Sequence, residues 1–126
     1  RRLNNHRIKA AKRYNLFFKN NKLPVEKPHV NPNAKHVYQT YAITVEPKKR
    51  NDLIFFLRKK GIEASVHFTP VLHEQEFFKK NYPPRINLKN ASRLSNTLVS
   101  LPMHSSIKLK EVDYVCSCIK SFFKEN

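Results

Sequence analysis

Apolar residues recur along this chain at more than one period, and the changes of period divide it into elements. Over 2–19, Leu3, Ile8, Ala11, Leu16 and Phe18 fall at helical spacings. Ala10-Ala11 and the many Lys and Arg residues favour helix, and no proline interrupts. Asn20-Asn21, then Pro24, predict its end. Residues 24–35 contain Pro24, Pro28 and Pro32 and read as a connection that the prolines keep partly extended. The run His36 to Val45 is rich in β-branched and aromatic residues and predicts a strand. Alternation puts Val37, Gln39, Tyr41, Ile43 and Val45 on one face, with Tyr38, Thr40, Ala42 and Thr44 on the other. Both faces are only half polar, which predicts a central strand covered on both sides.

Pro47 introduces a helix over about 49–60. Leu53, Phe56 and Leu57 form its stripe, Ile54 flanks it, and Asn51-Asp52 lie in its first turn. Gly61 stands where a helix-ending glycine belongs. Residues 62–68 predict a second strand that Pro70 breaks. A short helix around Phe77 and Phe78 follows within 71–82, closed by Pro83-Pro84. Leu88, Ala91, Leu94 and Leu98 predict a helix over 88–98. Residues 99–101 predict a short edge strand that Pro102 ends. Val112, Val115, Ile119 and Phe122 predict the inward face of a last helix over 108–124. The order is that of an α/β sandwich, a small sheet with helices packed on it. There is no internal repeat and no low-complexity tract.

At 126 residues the chain fits one domain, and nine phenylalanines make a packed core plausible. The single glycine excludes more than any other count. Phosphate loops and dinucleotide fingerprints need backbone that approaches a phosphate without a Cβ, so none can be built here. The formal charge of +16 suggests a polyanion partner. The basic residues are scattered, however, in short runs such as Lys48-Lys49-Arg50 and Arg58-Lys59-Lys60, with no long basic arm. Cys116 and Cys118 are two apart, which is neither a zinc-site spacing nor a redox C-x-x-C, and they read as buried or half-buried free thiols. No signal-peptide apolar region is visible, and no apolar run approaches the ~20 residues of a membrane span. The expectation is a soluble cytoplasmic protein.

Several segments together resemble one known family. Arg7 to Tyr14 resembles the R-x-x-x-A-x-x-Y helix that opens the small domain of DegT/StrS-type sugar aminotransferases. His36 to Ile43, the helix over 49–57 and Lys60-Gly61-Ile62 resemble that family's H-V-Y-H-x-Y-V-I strand, R-D-x-L helix and G-I turn. Val66-His67-Phe68-Thr69-Pro70-Val71-Leu72-His73-Glu74-Gln75 is similar to its V-H-Y-x-P-x-H-x-Q stretch, with one residue more between Pro70 and His73, and Leu94 to Met103 resembles its L-S-L-P-M segment. Gln39 replaces a frequent His and Phe68 a usual Tyr, so an imidazole and a hydroxyl are missing from the pattern.

The resemblance implies the C-terminal small domain of a fold type I enzyme that depends on pyridoxal phosphate (PLP). Its fold would be α/β, with a small, mostly antiparallel sheet of about three strands packed with helices. It implies transamination of a nucleotide-linked keto-sugar, with glutamate as the usual donor, in a homodimer serving polysaccharide or amino-sugar biosynthesis. The Schiff-base lysine and the PLP-phosphate contacts would belong to a large domain outside this chain. The chain alone would be catalytically incomplete and would bind no cofactor. It would expose an apolar patch where that large domain sits.

The site candidates are His67, His73, Tyr38 and Gln39, as groups contacting the substrate. His67 closes a strand beside a proline-bounded loop, where an imidazole can hydrogen-bond a hydroxyl or phosphate. The other reading of His67 and of His73 is a loop-capping histidine, and of Tyr38 a core ring with a bonded hydroxyl. No third ligand stands at metal spacing from the two histidines. Arg7 and Tyr14 read as structural. A rival reading from another class is a free-standing basic module that binds nucleic acid or another polyanion. Against it, the aromatics are mostly Phe within periodic stripes, not interleaved with Arg as stacking platforms are.

Overall fold

The computed structural model describes residues 2–83 and 87–125. Its elements are α1 (Arg2–Asn21), β1 (Val25–Glu26), β2 (Tyr41–Val45), α2 (Pro47–Lys59), a 3-10 turn (Leu72–Glu74), α3 (Glu76–Asn81), α4 (Lys89–Thr97), β3 (Leu98–Leu101) and α5 (Leu109–Glu125). The three strands form one antiparallel sheet in the order β1-β2-β3. Val45 faces Val25, and Tyr41 faces Leu101. β2 is therefore the central strand, as its pattern predicts, and Tyr41, Ile43 and Val45 point into the core.

The core joins the sheet to α1, α2 and α5. Leu53 and Leu57 of α2, Val112 and Ile119 of α5, and Ala11 and Tyr14 of α1 are all fully buried. Small Ala10 and Ala11 let α1 lie close to α5, and an Arg13–Asp113 pair links the two helices on the outside. The neighbouring guanidinium holds the Asp113 carboxyl below its ordinary range. Tyr14 stacks on Tyr41 with ring centres 4.7 Å apart and donates its hydroxyl to the Pro102 carbonyl at 3.1 Å. Tyr41 donates to Asn15 Oδ1 at 2.7 Å. Burial raises both phenols well above their ordinary range and pushes the Cys116 thiol up to about 12. Both cysteines are free and buried.

Gly61 ends α2 as expected. It has φ +75°, its N–H donates to Arg58 O, and the next N–H, of Ile62, donates to Leu57 O. This 5→2 and 6→1 pair satisfies the last carbonyls of the helix. A Cβ on Gly61 would meet nothing within 4 Å, so this glycine serves the turn and not the approach of a ligand.

Several expectations are corrected. The strand predicted over 36–45 begins only at Tyr41, because Tyr38 turns the backbone to φ +52° and breaks the alternation. Two residues of the 24–35 connection, Val25 and Glu26, form β1. The strand predicted over 62–68 is reduced to one bridge, Ser65 to Ser100. Leu3 and Leu16 of α1 are exposed, and its buried stripe is Ala10, Ala11, Tyr14 and Phe18. In α4 the buried residues are Ser95 and Thr97, while Leu94 is exposed. The 71–82 segment divides into the 3-10 turn and α3. Pro83 follows α3, while Pro84 lies outside the described residues.

Candidate functional site

β3 ends at Leu101, and the chain 61–68 runs beside it. Two backbone hydrogen bonds hold them together, Ser100 N–H to Ser65 O at 2.8 Å and Ser65 N–H to Ser100 O at 3.2 Å. The Arg58 guanidinium ties the approach to this bridge by donating Nε–H to Ala64 O at 2.9 Å. Between this edge, the residues before β2 and the start of α5 lies an open groove of about 1140 Å³. Gln39, His67, Ser100, His104, Lys110 and Tyr114 are among its polar lining, which also includes the carboxylates of Glu63 and Glu111, and Phe68 and Met103 form part of its apolar wall. Donors and acceptors thus stand beside apolar surface, a combination suited to a polar ring with one greasy face.

The structure brings two of the four candidates together. His67 is exposed in the groove, and its Nδ1 lies 2.9 Å from Ser100 Oγ. Gln39 follows the left-handed Tyr38, and that turn sends the Tyr38 side chain inward while Gln39 stays exposed on the groove. The other two lie elsewhere. Tyr38 is buried, with its ring 4.2 Å from His36 and 6.0 Å from Tyr41. It lines a separate hollow of about 400 Å³ with Asn15, Lys27 and His29. His73 Nε2 lies 3.2 Å from Ser92 Oγ, whose hydroxyl donates to Glu74 Oε1. His73 therefore joins the 3-10 turn to α4.

Ser100, Lys110 and Tyr114 line the groove without having been singled out as site residues. For Ser100 a signal existed, since it lies in the L-S-L-P-M-like segment. For Lys110 and Tyr114 none did, because their helical pattern marks only an exposed face. The segment 68–82 carries four large exposed side chains, Phe68, Leu72, Phe77 and Tyr82, with Phe68 81% exposed. The rings of Phe77 and Tyr82 are 6.2 Å apart. Among the described residues no three His, Cys, Asp or Glu side chains are grouped as metal ligands. No helix among them is long and apolar enough to cross a membrane.

The residues present do not fit PLP by themselves. A Schiff-base lysine needs a desolvated pocket, and none of the described lysines is buried. The one glycine is committed to a helix end.

A model of the DegT/DnrJ/EryC1/StrS aminotransferase family matches residues 1–120. The chain is 28% identical over 103 residues to the spore coat polysaccharide biosynthesis protein SpsC of Bacillus subtilis, covering 77% of this chain and 26% of that protein. It superposes with a TM-score of 0.83 and 25% identity on a DegT DnrJ EryC1 StrS aminotransferase from Brucella abortus, covering 95% of this chain and 31% of that one. Its fold is also that of NtdA from Bacillus subtilis, solved with bound cofactor PMP, at TM-score 0.82 and 23% identity, over 96% of this chain and 28% of that one. The chain therefore spans about a quarter to a third of the length of the relatives it matches.

Proposed function

Because the chain belongs to the DegT/DnrJ/EryC1/StrS aminotransferase family, we propose that it forms the C-terminal small domain of a PLP-dependent sugar aminotransferase. In this reading it supplies one wall of the cleft in which a nucleotide-linked keto-sugar receives an amine from glutamate. The observation that carries the reading is the groove that Gln39 and His67 both line beside the bridged edge of the sheet. A sugar ring presents several hydroxyls, and each needs a partner when water is excluded. The Gln39 amide offers both a donor and an acceptor, and the His67 ring offers Nε2, its Nδ1 being engaged by Ser100. These groups bind and orient the sugar. The cofactor, with the lysine that carries it, belongs to a large domain, against which Phe68, Leu72, Phe77 and Tyr82 are suited to pack. Two such polypeptides would pair as a homodimer in the cytoplasm, in the biosynthesis of a polysaccharide or amino sugar.

The test is a pair of half-reactions on a polypeptide that joins this chain to a lysine-bearing large domain. Glutamate should convert the cofactor's visible absorbance, and a nucleotide-linked keto-sugar should restore it. Restoration by a 2-keto acid but by no nucleotide-linked keto-sugar would refute the substrate class. The chain alone, mixed with PLP and then dialysed, should retain no stoichiometric Schiff-base band, and a retained one-to-one band would refute the assignment of the lysine to the large domain.

A further inference from the structure

Ser100 lies in a segment that the sequence singles out, and the function proposed above gives it no part beyond its contact with His67 Nδ1. Its residue is only 3% exposed. Both its backbone groups are committed to Ser65, so its Cα cannot shift without breaking the bridge. Its hydroxyl has one partner among the described residues, His67 Nδ1 at 2.9 Å. A buried hydroxyl proton needs an acceptor. Were His67 protonated at Nδ1, that N–H would donate to Ser100 Oγ, and the serine proton would have no acceptor left among the described residues. With Nδ1 unprotonated, the hydroxyl donates to it and every buried polar atom of the pair is satisfied. The neutral ring then carries its proton on Nε2, the nitrogen left for the groove.

We propose that Ser100 is a positioning residue that holds neutral His67 as the Nε2–H tautomer, so that the groove presents an N–H donor to an oxygen of its ligand. This rests on the function proposed above for the ligand's identity, and it deepens that reading. The atom facing His67 is an acceptor oxygen, a sugar hydroxyl or a phosphate, and not a donor. Gln39, which can present either end of its amide, is left to meet a donor.

The test is the tautomer itself, read from long-range nitrogen–proton correlations in the chain labelled with ¹⁵N-histidine, above the histidine titration range. His67 is assigned by the signals lost in His67→Gln. Exposed His6 on α1 serves as internal reference. The expected result is a larger Nε2–H fraction at His67 than at His6. It should fall to the His6 value in Ser100→Ala and return in Ser100→Thr, which keeps a hydroxyl. A purely structural serine would not move the tautomer. An Nε2–H fraction no greater than that of His6, or one unchanged in Ser100→Ala, overturns the proposal. The measurement needs no ligand, so this failure leaves the aminotransferase reading standing, while failure of the keto-sugar half-reaction leaves the tautomer assignment standing.

Discussion

Replacing Tyr14 by Phe should weaken the fold at neutral pH and protect it at high pH. The ring stays, with its stack on Tyr41, and only the hydroxyl and its bond to Pro102 O are lost. A neutral buried hydrogen bond contributes about 1 kcal/mol net, which corresponds to roughly 3–6 °C in Tm for a domain of this size. The alkaline effect has the opposite sign. Burial raises the folded-state pKa of Tyr14 far above its ordinary 10.0. The stability this phenol contributes is complete below pH 10, where both states hold the proton. Above it only the unfolded state ionises, and stability falls by about 1.4 kcal/mol per pH unit. Tyr41 behaves likewise, and Cys116 does so from its ordinary 9.0 up to about 12. The Phe variant lacks one of these three slopes. Its deficit of about 1 kcal/mol at pH 8 should close and reverse between about pH 10.5 and 11. Urea titrations at steps across that range measure it. A gap between wild type and variant that stays constant with pH would refute the burial of this phenol.

Leu57→Ala, which empties a fully buried position of α2, should cost about 2–5 kcal/mol in urea unfolding. A loss under 1 kcal/mol would show that this contact is not core. Lys22 follows α1 with φ +41°, so Lys22→Gly should stabilise by about 0.5–1 kcal/mol, and a loss would contradict that backbone conformation. Phe77→Ser should reduce concentration-dependent self-association of the isolated chain in sedimentation, with Tm unchanged, because Phe77 is 62% exposed. A lowered Tm would place it in the core.

Where periodicity was strong and the packing ordinary, the chain could be read directly. The α5 stripe of Val112, Val115, Ile119 and Phe122 is buried as spaced, and Gly61 closes α2 by the backbone conformation it alone adopts easily. Misreadings arose where tertiary contacts overrode local pattern. Leu3 and Leu16 have helical spacing but no partner layer, whereas Ala10 and Ala11 are buried because they are small enough for α5 to approach. β1 is two residues long among prolines, too short for alternation to register. Tyr38 breaks its strand by a positive φ that no propensity foretells for tyrosine. The groove was half visible. His67 and Gln39 stand out by motif, but their sharing of one groove depends on that turn at Tyr38 and on the Ser65–Ser100 bridge. His73 shares the motif of His67 and points to Ser92 instead, since the chain folds into a 3-10 turn between them.

The most direct test of the central claim is to split the two half-reactions with His67→Ala in the polypeptide that joins this chain to its large domain. Loss of one hydrogen bond to the sugar should raise KM for the nucleotide-linked keto-sugar about tenfold, while the glutamate half-reaction keeps its rate. An equal loss in both half-reactions, or none in either, would contradict the assignment of this groove to the sugar.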